Sequence, residues 1–202
     1  MLLAAPLAAR TLTLVALGDS LTAGYGLPPE QGFVPQLQAW LVAQGQDVTV
    51  INAGVSGDTT AGGLARLDWS LTPDVDALMV TLGGNDLLRG LDPAQAQANL
   101  AAILQGARDR HLPVLLVGMQ ALDNYGPDYK AAFDAIYPAL ATQFAVPLAP
   151  GFFVPLAQKF PDRAAYMQHL QFDGLHPNAD GVAVIVQGLG PQVIDLLAAV
   201  KQ

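Results

Sequence analysis

The stretch Thr11–Gly26, TLTLVALGDSLTAGYG, decides how the rest of the chain reads. Thr11–Leu17 is a short apolar run with β-branched residues, and Gly18-Asp19-Ser20 ends it. A buried strand that stops at a glycine turn delivers the next polar side chain to the carboxyl edge of a parallel sheet. Open α/β sheets place their ligand sites at that edge. Ser20 therefore stands where a reactive hydroxyl is expected. Taken alone, the same residues equally suit a turn or a helix cap, roles that Asp and Ser favour.

The following residues alternate in period. Phe33–Gln44 has apolar residues at helical spacing, and Asp47–Ile51 reads as a second strand. Asn52–Thr60 is a polar, glycine-containing turn, and Ala61–Ser70 reads as a helix behind a Thr or Asp cap. Ala77–Leu82 is a third strand, ended by Gly83-Gly84-Asn85-Asp86, and Pro93 opens a helix running to about Asp109. Pro113–Val117 is a fourth strand, Asp128–Phe144 a helix bent at Pro138, and Val146–Leu148 a brief fifth strand. Gly151–Leu175 reads as irregular or mixed, and Asn178–Val200 as helical. Strand and helix in turn predict a three-layer α/β/α sandwich with a five-stranded parallel sheet, flavodoxin-like in outline.

Composition narrows the function classes. The 202 residues suffice for one domain with a sizeable core, expected over 11–202 behind a leader over 1–10. A net charge of −8 argues against a nucleic-acid surface, which needs a basic patch, and favours neutral or apolar small-molecule partners. No cysteine is present, which removes thiolate catalysis and disulfides. Met1–Ala9 is apolar and alanine-rich but too short to span a bilayer. It reads as the tail of an export signal, giving a periplasmic or secreted protein, with a cytoplasmic protein as the alternative. No other segment of spanning length is free of charges or helix breakers, so no stable membrane insertion is expected. A monomer is expected.

Three strand-end turns converge on one edge of such a sheet, and each carries groups suited to acyl transfer. Ser20 can serve as a nucleophile, the Gly57 N–H and the Asn85 amide as oxyanion donors, and the N–H of Ser20 as a third. Gly57 and Asn85 singly would be ordinary turn residues. A serine hydroxyl needs a general base, and the chain holds only His111, His169 and His176. His111 follows Arg108-Asp109-Arg110 at a helix end, and His169 suits a structural or surface role. His176 lies in FDGLHPN, Phe172–Asn178, where Asp173 three residues upstream can orient its ring.

Gly18-Asp19-Ser20-Leu21, Gly57 in Ser-Gly-Asp-Thr, Gly83-Gly84-Asn85-Asp86 and Asp173-x-x-His176-Pro177 occur in that order. Together they resemble the GDSL or SGNH hydrolase family, and within it the bacterial acyl-thioesterases, lysophospholipases and arylesterases. The likeness also takes in Asn124-Tyr125-Gly126 and Ala135-Ile136-Tyr137-Pro138, and so covers nearly the whole chain. It implies Ser20 as nucleophile, His176 as base, Asp173 as its orienter, and Ser20, Gly57 and Asn85 as the oxyanion hole. Gly54 also stands in the second block, but Gly57 has the matching context. The loop Gly26–Gln31 looks longer than the family leads one to expect and would reshape the pocket mouth. The nucleophile is not in a Gly-x-Ser-x-Gly elbow, which argues against the α/β-hydrolase family.

The implied chemistry needs no metal or cofactor. The expected substrates are acyl esters or thioesters in a shallow site, with Leu21, Leu87, Leu122, Tyr125 and Leu175 as binding residues. Leu88 and Phe172 also flank it, and Arg89 reads either as a head-group contact or as a solvated charge. Alternatives are a carbohydrate O-deacetylase of the same fold, a non-catalytic binding protein, or a nucleotide binder. The last should show a phosphate loop, of which Gly18–Gly26 is a poor version.

Overall fold

A computed structural model describes Arg10–Val200. Of the leader expected over residues 1–10, residues 1–9 lie outside the described residues, and Arg10 donates to Asp76 Oδ2 at 2.7 Å. In chain order the elements are β1 Leu12–Gly18, α1 Ser20–Ala23, α2 Phe33–Ala43, β2 Val48–Gly54, α3 Thr60–Ala65, α4 Leu67–Ser70, β3 Ala77–Thr81 and α5 Gly84–Leu88. There follow α6 Pro93–Asp109, β4 Val114–Val117, α7 Pro127–Asp134, α8 Ile136–Phe144, β5 Leu148–Ala149, α9 Val154–Lys159, α10 Arg163–Met167 and α11 Ala179–Ala198.

The five strands are all parallel, in the order β2-β1-β3-β4-β5. Helices cover both faces of the sheet, so its central strands read as continuous apolar runs. Leu14, Val15 and Leu17 of β1, Leu78, Met79 and Val80 of β3, and Leu115 and Leu116 of β4 are fully buried. The chain leaves β1 to one side for β2 and returns on the other side for β3. Outward from the carboxyl ends of β1 and β3 lies the switch point, where sheets of this order bind ligands. Ser20 and Asn85 follow those two strands.

Several local expectations change. The segment expected to be one helix over Ala61–Ser70 divides at Arg66, whose backbone leaves helical geometry (φ −110°, ψ 10°). Its side chain turns inward to the ends of β1 and β2. The bend expected at Pro138 falls instead at Ala135, between α7 and α8. Pro138 sits in the first turn of α8, where its missing N–H has no intrahelical acceptor to forgo. The fifth strand is Leu148–Ala149, later than expected. The segment 151–175 contains α9 and α10, the latter capped by Asp162, whose side chain accepts from Ala165 N–H.

Among the described residues one helix, α11, is long and apolar enough to cross a membrane. Its Val182, Ile185, Leu189, Val193 and Leu196 are buried in the core instead. It carries Pro191, Asp180 and Asp195, the breaker and charges that set it apart at the sequence level.

Candidate active site

The turn after β1 is built by Asp19, which caps α1 by accepting from Leu21 N–H at 3.0 Å. This puts Ser20 at the first position of the helix, its hydroxyl facing the sheet edge. From the far end of the chain, the loop before α11 returns His176 to it. His176 Nε2 lies 2.8 Å from Ser20 Oγ, and Nδ1 lies 2.6 Å from Asp173 Oδ2.

The neighbours assign the imidazole tautomer. Burial pushes the Asp173 carboxyl up, but the backbone N–H groups of His176 and Leu175 and the His176 ring together outweigh it, holding the group down at about 2. An ionised carboxylate only accepts, so Nδ1 carries the proton and Nε2 accepts from the serine hydroxyl. Asp173 Oδ1 takes the N–H groups of Leu175 at 2.9 Å and His176 at 3.0 Å, fixing the loop as well as the ring.

The other two residues expected to donate to an oxyanion, Asn85 and Gly57, lie on two further loops. Asn85, at the start of α5, donates through Nδ2 to Asp19 Oδ2 at 3.3 Å. One amide hydrogen is thereby engaged, and the second is free to face a substrate oxygen. Asp19 is only 2% exposed, and burial raises its carboxyl to about 6 against the opposing bonds from Leu21 and Asn85. Gly57 has φ +86°, a backbone that side-chain-bearing residues rarely adopt. Its N–H donates to no group among the described residues.

Hydrogen bonds hold these loops in register. Asp86, beside Asn85 and 2% exposed, accepts from Thr60 N at 2.8 Å and Thr60 Oγ1 at 2.7 Å. Arg66 donates to Asp58 at 2.6 Å, to Ala53 O at 2.7 Å and to Gly18 O at 2.8 Å, tying the Gly57 turn to the ends of β1 and β2. Arg89 neither reaches into the cleft nor stands free: it donates to Gly57 O at 2.8 Å. None of these partners was legible in the sequence, because most of these contacts join residues far apart along the chain and no local pattern marks the nearer one, Arg66 to Asp58.

A cleft of about 620 Å³ opens beside Ser20, within the usual range for small-molecule sites. Leu21, Leu87, Leu88, Leu122 and Leu175 line it together with Ser20, Asn85 and His176. Tyr125 does not: its hydroxyl donates to Leu88 O at 3.0 Å and its ring packs on Tyr129. Phe172 projects fully into solvent. Neither Gly57 nor Gly26–Gln31 lines the cleft. The segment read as irregular supplies a wall of Phe152, Phe153, Val154, Tyr166, Met167 and Leu170. Asp162 as a cap before Arg163 was the available signal for α10.

His169 packs on Phe160, with ring centroids 3.9 Å apart, and takes no part in the site. His111 occupies a left-handed position (φ 57°) after α6, at a concavity of about 760 Å³ on the opposite edge of the sheet. That concavity is lined by no serine. Among the described residues no group of three or more His, Asp or Glu side chains is arranged to hold a metal ion.

A hydroxyl bonded to an oriented imidazole, beside an amide donor and an apolar cleft, is the equipment of an acyl-transfer hydrolase. Residues 16–184 match the GDSL-like lipase/acylhydrolase family, and the chain belongs to that family. It is 42% identical over 190 residues to the esterase TesA of Pseudomonas aeruginosa, covering 94% of this chain and 91% of that protein. It is 40% identical over 192 residues to the thioesterase 1/protease 1/lysophospholipase L1 of Escherichia coli K12, covering 94% and 87%. Its fold superposes on the psychrotrophic esterase EstA from a Pseudoalteromonas species, inhibited by monoethylphosphonate, with a TM-score of 0.83. That match has 31% identity and covers 92% of this chain and 98% of the other.

Proposed function

We propose that this protein hydrolyses carboxylic esters and acyl thioesters through an acyl-enzyme on Ser20. The observation that carries the reading is the relay Ser20–His176–Asp173, with contacts of 2.8 and 2.6 Å drawn from opposite ends of the chain. His176 Nε2 takes the hydroxyl proton as Ser20 Oγ attacks the carbonyl carbon. The charge that builds on the carbonyl oxygen falls to the N–H groups of Ser20 and Gly57 and the free amide hydrogen of Asn85. Collapse expels the alcohol or thiol, which leaves with the proton from His176. Water then enters, gives its proton to the same nitrogen and releases the acid.

The substrate reading rests on the cleft. Leucine, phenylalanine and methionine side chains dominate its wall, which suits a hydrocarbon acyl chain and offers little to the hydroxyls of a sugar. Acyl esters, aryl esters and acyl thioesters are therefore preferred over carbohydrate acetates, with lysophospholipids next. The relatives named as esterase and as thioesterase and lysophospholipase support this range.

The test is hydrolysis of p-nitrophenyl butyrate and of a butyryl thioester by the wild type and by Ser20→Ala. Turnover of either compound that disappears in the variant supports the assignment. Equal rates for the two proteins sink it.

A further inference from the structure

His176 is delivered by a loop, and the distance of that loop from Ser20 has to be set by something. Asp173 cannot set it, because it belongs to the same loop and moves with the ring. The base of the loop is closed by the antiparallel bridge between Leu170 and Pro177 and by Asn178 N–H donating to His169 O at 2.9 Å. These contacts shape the loop but do not join it to the nucleophile.

Gln171 does. Its Nε2 donates to Tyr25 O at 2.8 Å and to Pro177 O at 3.0 Å, and its backbone N–H donates to His176 O at 2.8 Å. Among the described residues, two hydrogen bonds join residues 170–177 to residues 20–26. They are His176 to Ser20 itself and Gln171 to Tyr25. The same tie lays the Tyr25 ring against the His176 ring, with centroids 4.8 Å apart. Gly26 stands next to it with φ +75°, and a Cβ there would lie 2.2 Å from Gln171 Oε1. Any side chain at 26 would push the carboxamide out of place.

We propose that Gln171 is a positioning residue that sets the separation of Ser20 and His176 through the Tyr25 carbonyl, and that Gly26 is glycine to leave room for it. The proposal rests on Ser20 and His176 being the nucleophile and base. A positioning role acts on the chemical step: an ångström of misplacement at a reacting pair costs up to about a hundred-fold in rate. Although Leu175 rides on the same loop, most of the apolar wall (Leu21, Leu87, Phe152 and Met167 among it) comes from other elements, so substrate affinity changes less than the chemical step.

The experiment compares the full chain with Gln171→Ala, Gly26→Ala and the double variant, with thermal unfolding recorded beside the kinetics. Measured are kcat and KM for p-nitrophenyl butyrate and the rate of inactivation by diethyl p-nitrophenyl phosphate. Each single variant is expected to lose about five-fold or more in kcat with KM within about two-fold, and to be inactivated more slowly in proportion. Because both changes break one tie, the double variant should be little worse than the poorer single. A smaller loss, a loss residing in KM, or losses that multiply would overturn the proposal. If Gln171→Ala does not fold, Gly26→Ala decides by the same split between kcat and KM. A wild type that fails to react with the organophosphate sinks the esterase reading itself. A wild type labelled on Ser20 beside a kinetically silent Gln171→Ala sinks the positioning role alone.

Discussion

Asp19 accepts a hydrogen bond from the Asn85 amide at 3.3 Å while standing 2% exposed, next to the proposed nucleophile. A buried carboxylate with two donors is under-satisfied, and burial accordingly raises it from 3.8 to about 6. Its use is orientation. As long as it is an acceptor, the amide nitrogen of Asn85, rather than its oxygen, is held on this side of the cleft.

Replacing Asp19 by Asn should therefore trade stability against rate. A carboxyl whose folded value lies above its unfolded one binds its proton more tightly when folded. Folding stability then falls as pH rises from about 4 through about 6. Above that window the ionised group costs on the order of 3 kcal/mol, which Asp19→Asn removes. The variant should unfold at higher temperature or denaturant concentration than the wild type at pH 8, and the difference should vanish near pH 3.5. Its kcat should drop by about 10²-fold, because an amide at 19 can turn Asn85 around. Denaturation at the two pH values, read beside kcat, checks both halves.

In the proposed mechanism, Asn85→Ala removes a donor that meets the carbonyl oxygen only once it carries charge. The expected loss is about 10²–10³ in kcat, with KM little altered. A comparable rise in KM would show that Asn85 binds ground-state substrate instead.

Asp173 is held at about 2 and stays ionised at every pH used for assay. Its contribution to stability is complete above about pH 4 and is lost as pH falls through about 2. At neutral pH, Asp173→Asn would present a donor to Nδ1 and so favour the tautomer whose Nε2 carries the proton. That ring cannot take the proton of Ser20. Loss of about 10³–10⁴ in kcat is expected, read with p-nitrophenyl butyrate in the presence of intact folding by circular dichroism.

The cleft wall supplies a specificity test. Val154 and Ala157 line it from α9. Ala157→Phe should fill the cleft and shift the acyl-chain optimum to shorter esters, leaving acetate turnover within about three-fold, since filling a pocket discriminates by about 1–3 kcal/mol for each methylene that no longer fits. A series of p-nitrophenyl esters from acetate to laurate measures it.

The sheet and the two ends of the relay were readable because the first three strands each stop at glycine beside polar residues. A parallel sheet brings such stops to one edge, so Ser20, Asn85 and the turn at Gly57 could be placed together without coordinates. His176 was separable from His169 and His111 because Asp173 stands one turn upstream of it. The wall of the cleft was hidden: α9 and α10 are short, and Pro155, Pro161 and Phe152-Phe153 obscure a helical period. Ties made by Arg66, Asp86 and Gln171 were invisible for a different reason. Each connects backbone or side-chain atoms across a separation along the chain, which no local pattern records.

Covalent capture by diethyl p-nitrophenyl phosphate reports on the nucleophile itself, with intact mass and peptide mapping as the readout. One diethylphosphoryl group per chain, carried by Ser20, is expected, with esterase activity lost in proportion, and no adduct on Ser20→Ala. An adduct on another residue that abolishes activity, or full activity in Ser20→Ala, would contradict Ser20 as the nucleophile.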